Sequence, residues 1–253
     1  MFQFILFSIM ISSCQAIILK SIDFKESSKI ITVLSDDYGK FALIAKGAKK
    51  PKSKFAGSLQ IGDVAMLQYS YKSTRNIQLL TDVDTIQRTY SIHHDFEKLG
   101  LLMRSIEMCN ILTHEHEKVT EMYQFLSHFI PWLAKTDLSV DQLFPYMLIR
   151  YAELMGIQLQ AMPELIIKKN VFLCIDDGMI SNNASSGLSY KLTDGQKQYI
   201  ILAMSGKSKA LTRIDISDHD TQNLTYHLDV YFKHHIDGIR DRKSDQIFNL
   251  MNN

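Results

Sequence analysis

Between Lys46 and Phe55 the chain reads KGAKKPKSKF, with lysines at 46, 49, 50, 52 and 54, and no acidic residue stands between Asp37 and Asp63. Ammonium groups at this density suit ion pairing with a repeating anion, because each nucleic-acid phosphate that is neutralised releases a condensed counterion. The same run also works as a solvated connection that keeps an apolar sheet soluble, and charge density alone does not separate the two uses. Phe24, Tyr38, Phe41 and Phe55 lie close by in sequence. An aromatic face stacked on a nucleobase is worth about 1–3 kcal/mol, so these are candidate stacking residues. Phe41 falls within an apolar alternation and reads as core.

Other chemistry is hard to assemble. His114-Glu115-His116-Glu117 offers metal-ligand types, but alternate residues diverge on a helix, and the adjacent pair His234-His235 points about 100° apart. Cys14, Cys109 and Cys174 are odd in number, far apart and without a CxxC pair, so neither a disulfide framework nor a four-cysteine zinc site can be written from them. Reduced thiols of a cytoplasmic protein fit that pattern. The chain has no GxxxxGK[ST], GxSxG or GxGxxG motif, which removes the common local signatures of nucleotide hydrolysis, acyl transfer and dinucleotide binding. Asp36-Asp37 and Asp176-Asp177 read as turn residues. A metal-dependent nuclease using the lysine run as a substrate clamp is the enzymatic alternative. It would need clustered carboxylates for a metal pair, and no spacing suggests them. The residues therefore point to a binding protein with no catalytic group, no cofactor and no small-molecule substrate.

The elements that position the lysines begin with an N-terminal puzzle. MFQFILFSIMISSC ends in a cysteine after a short apolar run, as a lipoprotein signal does. No Lys or Arg precedes the run, a strand-like segment starts at Gln15, and the run is too short to span a bilayer. We read residues 1–13 as an N-terminal extension or a mis-assigned start, with Met10 as the biological start, residues 1–9 upstream of it, and no membrane partner. A lipid-anchored β protein, resting wholly on Cys14, is the alternative.

With 253 residues, 46% of them hydrophobic, the chain is long enough for two domains. Residues 1–85 carry 11 Lys+Arg against 7 Asp+Glu, and the remainder 17 against 20, so the basic character is N-terminal. From Gln15 the hydrophobic period is that of β structure, with strands expected at 16–22, 29–35, 40–45, 64–71 and 77–80. Five short strands with the longest connection between the third and fourth predict an OB-fold β-barrel over 14–84, its long connection being the lysine run. Beyond Asp84 apolar residues recur at helical steps. Ser91, Ser139 and Ser217 are candidate caps, Thr193 with Gln196 forms a capping box, and Pro145 should cost a helix a backbone bond or shift its start. The segment 166–181 reads as a hairpin turning at Asp177-Gly178. The fold class is thus α+β, with a mainly helical domain over 85–253 carrying a small β-hairpin insertion.

A family resemblance rests on particular residues. Ile17-Ile18-Leu19-Lys20, Glu26 to Thr32, Tyr38-Gly39-Lys40 and Ala45 to Phe55 agree in order and spacing with the N-terminal signature of the RecO family of bacterial DNA repair proteins. The resemblance implies a recombination mediator that binds single- and double-stranded DNA and anneals strands. It also implies action with RecR and with the C-terminal tail of the single-strand binding protein to help load RecA, in the nucleoid. DNA contacts would then come from Lys29, Lys40, Lys46, Lys49, Lys50, Lys52, Lys54, Tyr38 and Phe55. Many members carry a four-cysteine zinc knuckle near 164–190. Only Cys174 is present here, which implies a degenerate hairpin without metal. The tail from Gly238 to Asp245 is similar to the family's closing stretch but has aspartate at 245 in place of the usual arginine. The acidic tail of a single-strand binding protein would need an apolar groove with a rim cation. Phe144, Met147, Leu148 and Tyr151 with Arg150 and Arg104 are the candidates, and a bundle core is the alternative use of the same stripe.

Overall fold

The computed structural model describes residues 10–136, 140–161, 170–206, 208–211 and 214–251. The chain divides into two compact units, one reaching to Thr136 and the other running from Asp137.

The first unit is built on five strands, β1 (Met10–Phe24), β2 (Ser28–Ser35), β3 (Gly39–Ala45), β4 (Val64–Tyr71) and β5 (Ile77–Gln87), closed into a barrel in the order β1-β2-β3-β5-β4. All pairings are antiparallel except β3 with β5, whose parallel register sets Ala42 opposite Ile77. Alternation dictates the core: Cys14, Ala16, Ile18, Ile31, Val33, Phe41, Leu43, Leu67 and Leu80 all turn inward. Cys14 lies within β1 opposite Leu67, and burial pushes its thiol up to about 11. Attaching a lipid there would require this side chain to leave the barrel core, which counts against the lipoprotein reading.

Two helices complete this unit, α1 (Phe96–Leu112) and α2 (Thr120–Lys135), which pack on β1 and β2. The change from strand to helix period places a domain boundary at residue 84, whereas the compact units divide at Thr136, because these helices bury their apolar sides against the barrel. Helix α1 starts later than Ser91 would set it. Ser91 precedes a single 3₁₀ turn, and Asp95 is the cap, its carboxylate accepting from the Lys98 amide at 3.1 Å.

The second unit contains α3 (Phe144–Leu154), a four-stranded sheet of β6 (Gln160–Ala161), β7 (Phe172–Cys174), β8 (Met179–Ser181) and β9 (Ser189–Lys191) in the order β6-β8-β7-β9, and four more helices. These are α4 (Asp194–Met204), α5 (Ser208–Leu211), α6 (Asp218–His235) and α7 (Lys243–Met251). Pro145 falls in the first turn of α3, where its missing N–H costs nothing. Ser139 and the first part of the hairpin segment lie outside the described residues. The turn at Gly178 (φ +68°), the Thr193–Gln196 capping box and the Ser217 cap occur as the residues predict.

Candidate nucleic-acid interface

The lysine connection is a wound and anchored structure. Successive turns run through it, with Lys50 N donating to Gly47 O at 3.1 Å, Ser53 N to Lys50 O at 3.0 Å, Ala56 N to Ser53 O at 3.0 Å and Ser58 N to Phe55 O at 3.1 Å. Gly47 takes φ +74°, a conformation that favours glycine. Phe55 and Leu59 insert into the barrel core and fix the turns to it. Lys49 N donates to Ser27 O at 3.0 Å, tying the connection to the β1–β2 turn, and Arg88 donates to Gly57 O at 2.9 Å from beyond β5. At the far end the buried Asp63 carboxylate accepts from Thr89 N and Thr89 Oγ1, both at 2.9 Å. A connection held at both ends presents its lysines as a fixed array, so less ordering entropy is lost when an anion binds.

The candidate residues separate into those on this array and those that are not. Lys46, Lys49, Lys50, Lys52 and Lys54 are exposed. Lys54 Nζ donates to Thr81 O and sits 5.4 Å from the Phe55 ring centroid. Lys29 is half-buried at the start of β2, beside the array. Tyr38, 48% exposed in the β2–β3 turn, is in T-shaped contact with Phe41 and lies at the opposite end of β3 from the lysine connection, away from the array.

Lys40 and Phe55 do not join them. Lys40 is only 8% exposed, and its ammonium donates to Thr113 O and, at 2.7 Å, to Asn110 O, the carbonyls at the C-terminal end of α1. A buried cation there satisfies orphan carbonyls and complements the helix dipole, so the Lys40 position serves the fold. Its main chain continues the same junction, with His116 N donating to Lys40 O at 2.8 Å. Next to it, a Cβ on Gly39 would lie 1.9 Å from Glu117 O, so the Gly39-Lys40 pair marks the place where the barrel meets the segment after α1. Phe55, 4% exposed, is a core anchor that offers no face for stacking.

The apolar groove expected on α3 is absent for a similar reason. Phe144, Met147, Leu148 and Tyr151 are all buried in the second unit. Arg150 pairs with Glu153 on its own helix, while Arg104 belongs to the other compact unit. The stripe is bundle core, as helical periodicity alone allows. Over Phe144 lies Arg242, which in the sequence stands out only as part of the closing stretch. Its guanidinium is 4.8 Å from the ring centroid, makes a two-pronged pair with Asp229 at 2.6 and 2.7 Å, and meets Asp245 at 2.7 Å. The aspartate at 245 thus has a structural partner.

Near the hairpin the described side chains are engaged with neighbouring groups. Cys174 is buried with its thiol 3.7 Å from Asn183 O, Asp176 faces His234 at 3.8 Å, and the His235 ring meets Ile175 O at 2.8 Å. Among the described residues no three His, Cys, Asp or Glu side chains come together as a metal site would require. Among them, too, no helix is long and apolar enough to cross a membrane.

A closed five-stranded barrel with this strand order and a parallel β3–β5 pair is an OB-fold, a class that holds oligonucleotides and oligosaccharides on its strands and loops. Two family models then match consecutive stretches, "Recombination protein O N terminal" over residues 10–89 and "Recombination protein O C terminal" over residues 93–245. The chain belongs to the RecO family. Some proteins named DNA repair protein RecO are similar to it along almost their whole length. That of Pelodictyon phaeoclathratiforme is 28% identical, covering 93% of this chain and 96% of its own. That of Chloroherpeton thalassium is 24% identical, covering 96% and 99%.

Proposed function

We propose that this protein is a non-enzymatic mediator of recombinational DNA repair. It binds single- and double-stranded DNA through the lysine array on its OB barrel, brings complementary strands together, and acts with RecR and the single-strand binding protein to help load RecA. The observation that carries the reading is the array itself: exposed cations on a connection that is wound, anchored in the barrel core and tied at both ends, within a chain of the RecO family. Phosphates are the natural partner of such a surface, because fixed cations gain the counterion-release term without first having to be ordered. Tyr38, exposed at the opposite end of β3 from the array, offers an aromatic ring for stacking elsewhere on the barrel. The acidic tail of the single-strand binding protein remains a partner in this reading, but its receptor is not the buried Phe144–Tyr151 stripe.

Annealing tests the proposal. Complementary oligonucleotides, bare or coated with single-strand binding protein, should pair faster with the protein present, and neither strand should be shortened when magnesium or manganese is added. No acceleration together with no retention of either DNA form would overturn the reading. Metal-dependent shortening would favour a nuclease.

A further inference from the structure

The array carries its own counter-anion. Asp23, near the end of β1, sits opposite Lys29 in the β1–β2 register, and its carboxylate lies 2.7 Å from Lys49 Nζ and 3.6 Å from Lys29 Nζ. One carboxylate between two ammonium groups occupies the position that a phosphodiester oxygen would take in contacting both lysines. The Lys49 ammonium, first by hydrogen bonding and then by charge, holds the Asp23 carboxyl below the ordinary aspartate range, so it stays ionised at neutral pH. By contrast, Lys46, Lys50 and Lys52 make no ion pair with any described residue.

Two further features set what this carboxylate can do. The Asp23 side chain is 59% exposed, so an incoming phosphate reaches the pair from solvent without disturbing the core. The connection is held to the β1–β2 turn by the main-chain bond from Lys49 N to Ser27 O, by Phe55 and Leu59 in the core, and by Arg88, none of which needs the Asp23–Lys49 pair. The ion pair is therefore not what positions the loop.

Resting on the DNA-binding reading above, we infer that Asp23 is an internal phosphate mimic that occupies Lys49 and Lys29 in the free protein and must be displaced by the nucleic-acid backbone. It weakens binding to any single phosphate and leaves Lys46, Lys50 and Lys52 to make the first encounter. The displaced carboxylate returns when DNA leaves, which favours exchange over tight retention. A protein that transfers strands between partners needs that property.

The test is equilibrium binding of a fluorescent oligothymidylate at two salt concentrations to wild type, Asp23→Asn, Glu26→Gln and the triple variant Lys49→Ala/Lys50→Ala/Lys52→Ala, each checked for folding by circular dichroism. Glu26 is an exposed carboxylate in the adjacent turn that pairs with neither lysine, so its variant reports the effect of net charge alone. Freeing the array to neutralise one further phosphate changes the salt slope by about 0.7–0.9, which is about five- to eightfold in affinity near ~0.1 M salt. Asp23→Asn is expected to bind more tightly by that factor, and Glu26→Gln by less than about twofold. Equal or weaker binding by Asp23→Asn, or an equal gain from Glu26→Gln, overturns the inference while leaving the DNA reading intact. If the triple variant binds as wild type does, the DNA reading itself fails, and the inference with it.

Discussion

Replacing Arg242 by methionine isolates the electrostatic part of the tail's attachment, because methionine keeps most of the volume above the Phe144 ring and removes only the charge and its donors. Burial works against the guanidinium, but hydrogen bonds and charge from Asp229 and Asp245 more than offset it, so its pKa is raised and it remains a cation throughout the accessible range. Each charge-assisted hydrogen bond contributes about 1.5–3 kcal/mol, and removing one partner of a buried pair costs about 3–5 kcal/mol because the other charge is left uncompensated. Asp229 and Asp245 keep about a quarter of their side-chain surface exposed, 27% and 25%, and rehydrate in part, which places the loss at the lower end, about 3 kcal/mol. In a unit running from Asp137 to Asn253, that is a fall in Tm of about 10 °C. Thermal unfolding followed at 222 nm measures it, and the double variant Arg242→Met/Asp229→Asn should recover about 1–2 kcal/mol, since it deletes one stranded carboxylate. A single variant within about 2 °C of wild type would refute the reasoning and make Arg242 a surface residue in energetic terms.

Three other outcomes follow from side chains already placed. Lys40→Met should destabilise the barrel unit by about 1.5–3 kcal/mol in urea titration, by unsatisfying the end of α1, while leaving the salt dependence of DNA binding unchanged. Phe55→Ala should cost about 3–5 kcal/mol of stability, whereas Phe55→Leu, which refills the core, should retain most of both stability and DNA affinity. Burial lowers the His227 pKa to about 4, with its ring stacked on Tyr190 at 4.0 Å, so the folded state resists a proton that the unfolded chain accepts near 6.5. The associated stability is present above pH 6.5 and lost as pH falls toward 4. Discounted for a half-buried residue that water still reaches, it is about 1–2 kcal/mol, and His227→Phe should flatten that part of a stability–pH profile.

The barrel was legible because β1 keeps a short apolar run and the later strands keep much of a period-two alternation, and because the one long connection announces itself by composition. The lysines on that connection were visible for the same reason. What could not be read was the destination of side chains whose type fits two roles. Lys40 follows a turn glycine and looks like another surface cation; only the folded chain brings the end of α1, some seventy residues later, onto its ammonium. Phe55 closes the lysine run, and nothing local reveals that the connection turns inward there. The Phe144–Tyr151 stripe has the spacing of a groove and of a core alike, and long-range packing decides between them. Asp23 and Arg242 were missed because their partners come from other elements, Lys49 in one case and Asp229 in the other. The Asp23–Lys29 register across the β1–β2 hairpin was the available hint for the first.

The central claim, that the wound lysine connection is the phosphate-contacting surface, is tested most directly by the salt dependence of DNA affinity. Log Kobs against log salt should be measured for wild type and for the variant with Lys49, Lys50 and Lys52 replaced by alanine, on single strands and duplexes of several sequences. All three lysines are exposed, so folding should be unaffected. The slope should be smaller in magnitude by about 1.4–1.8 from Lys50 and Lys52, at about 0.7–0.9 for each phosphate no longer neutralised, and by less for Lys49, which Asp23 already pairs, with weaker binding of every sequence to the same degree. A slope equal to that of wild type would contradict the claim and leave the connection a solvated surface.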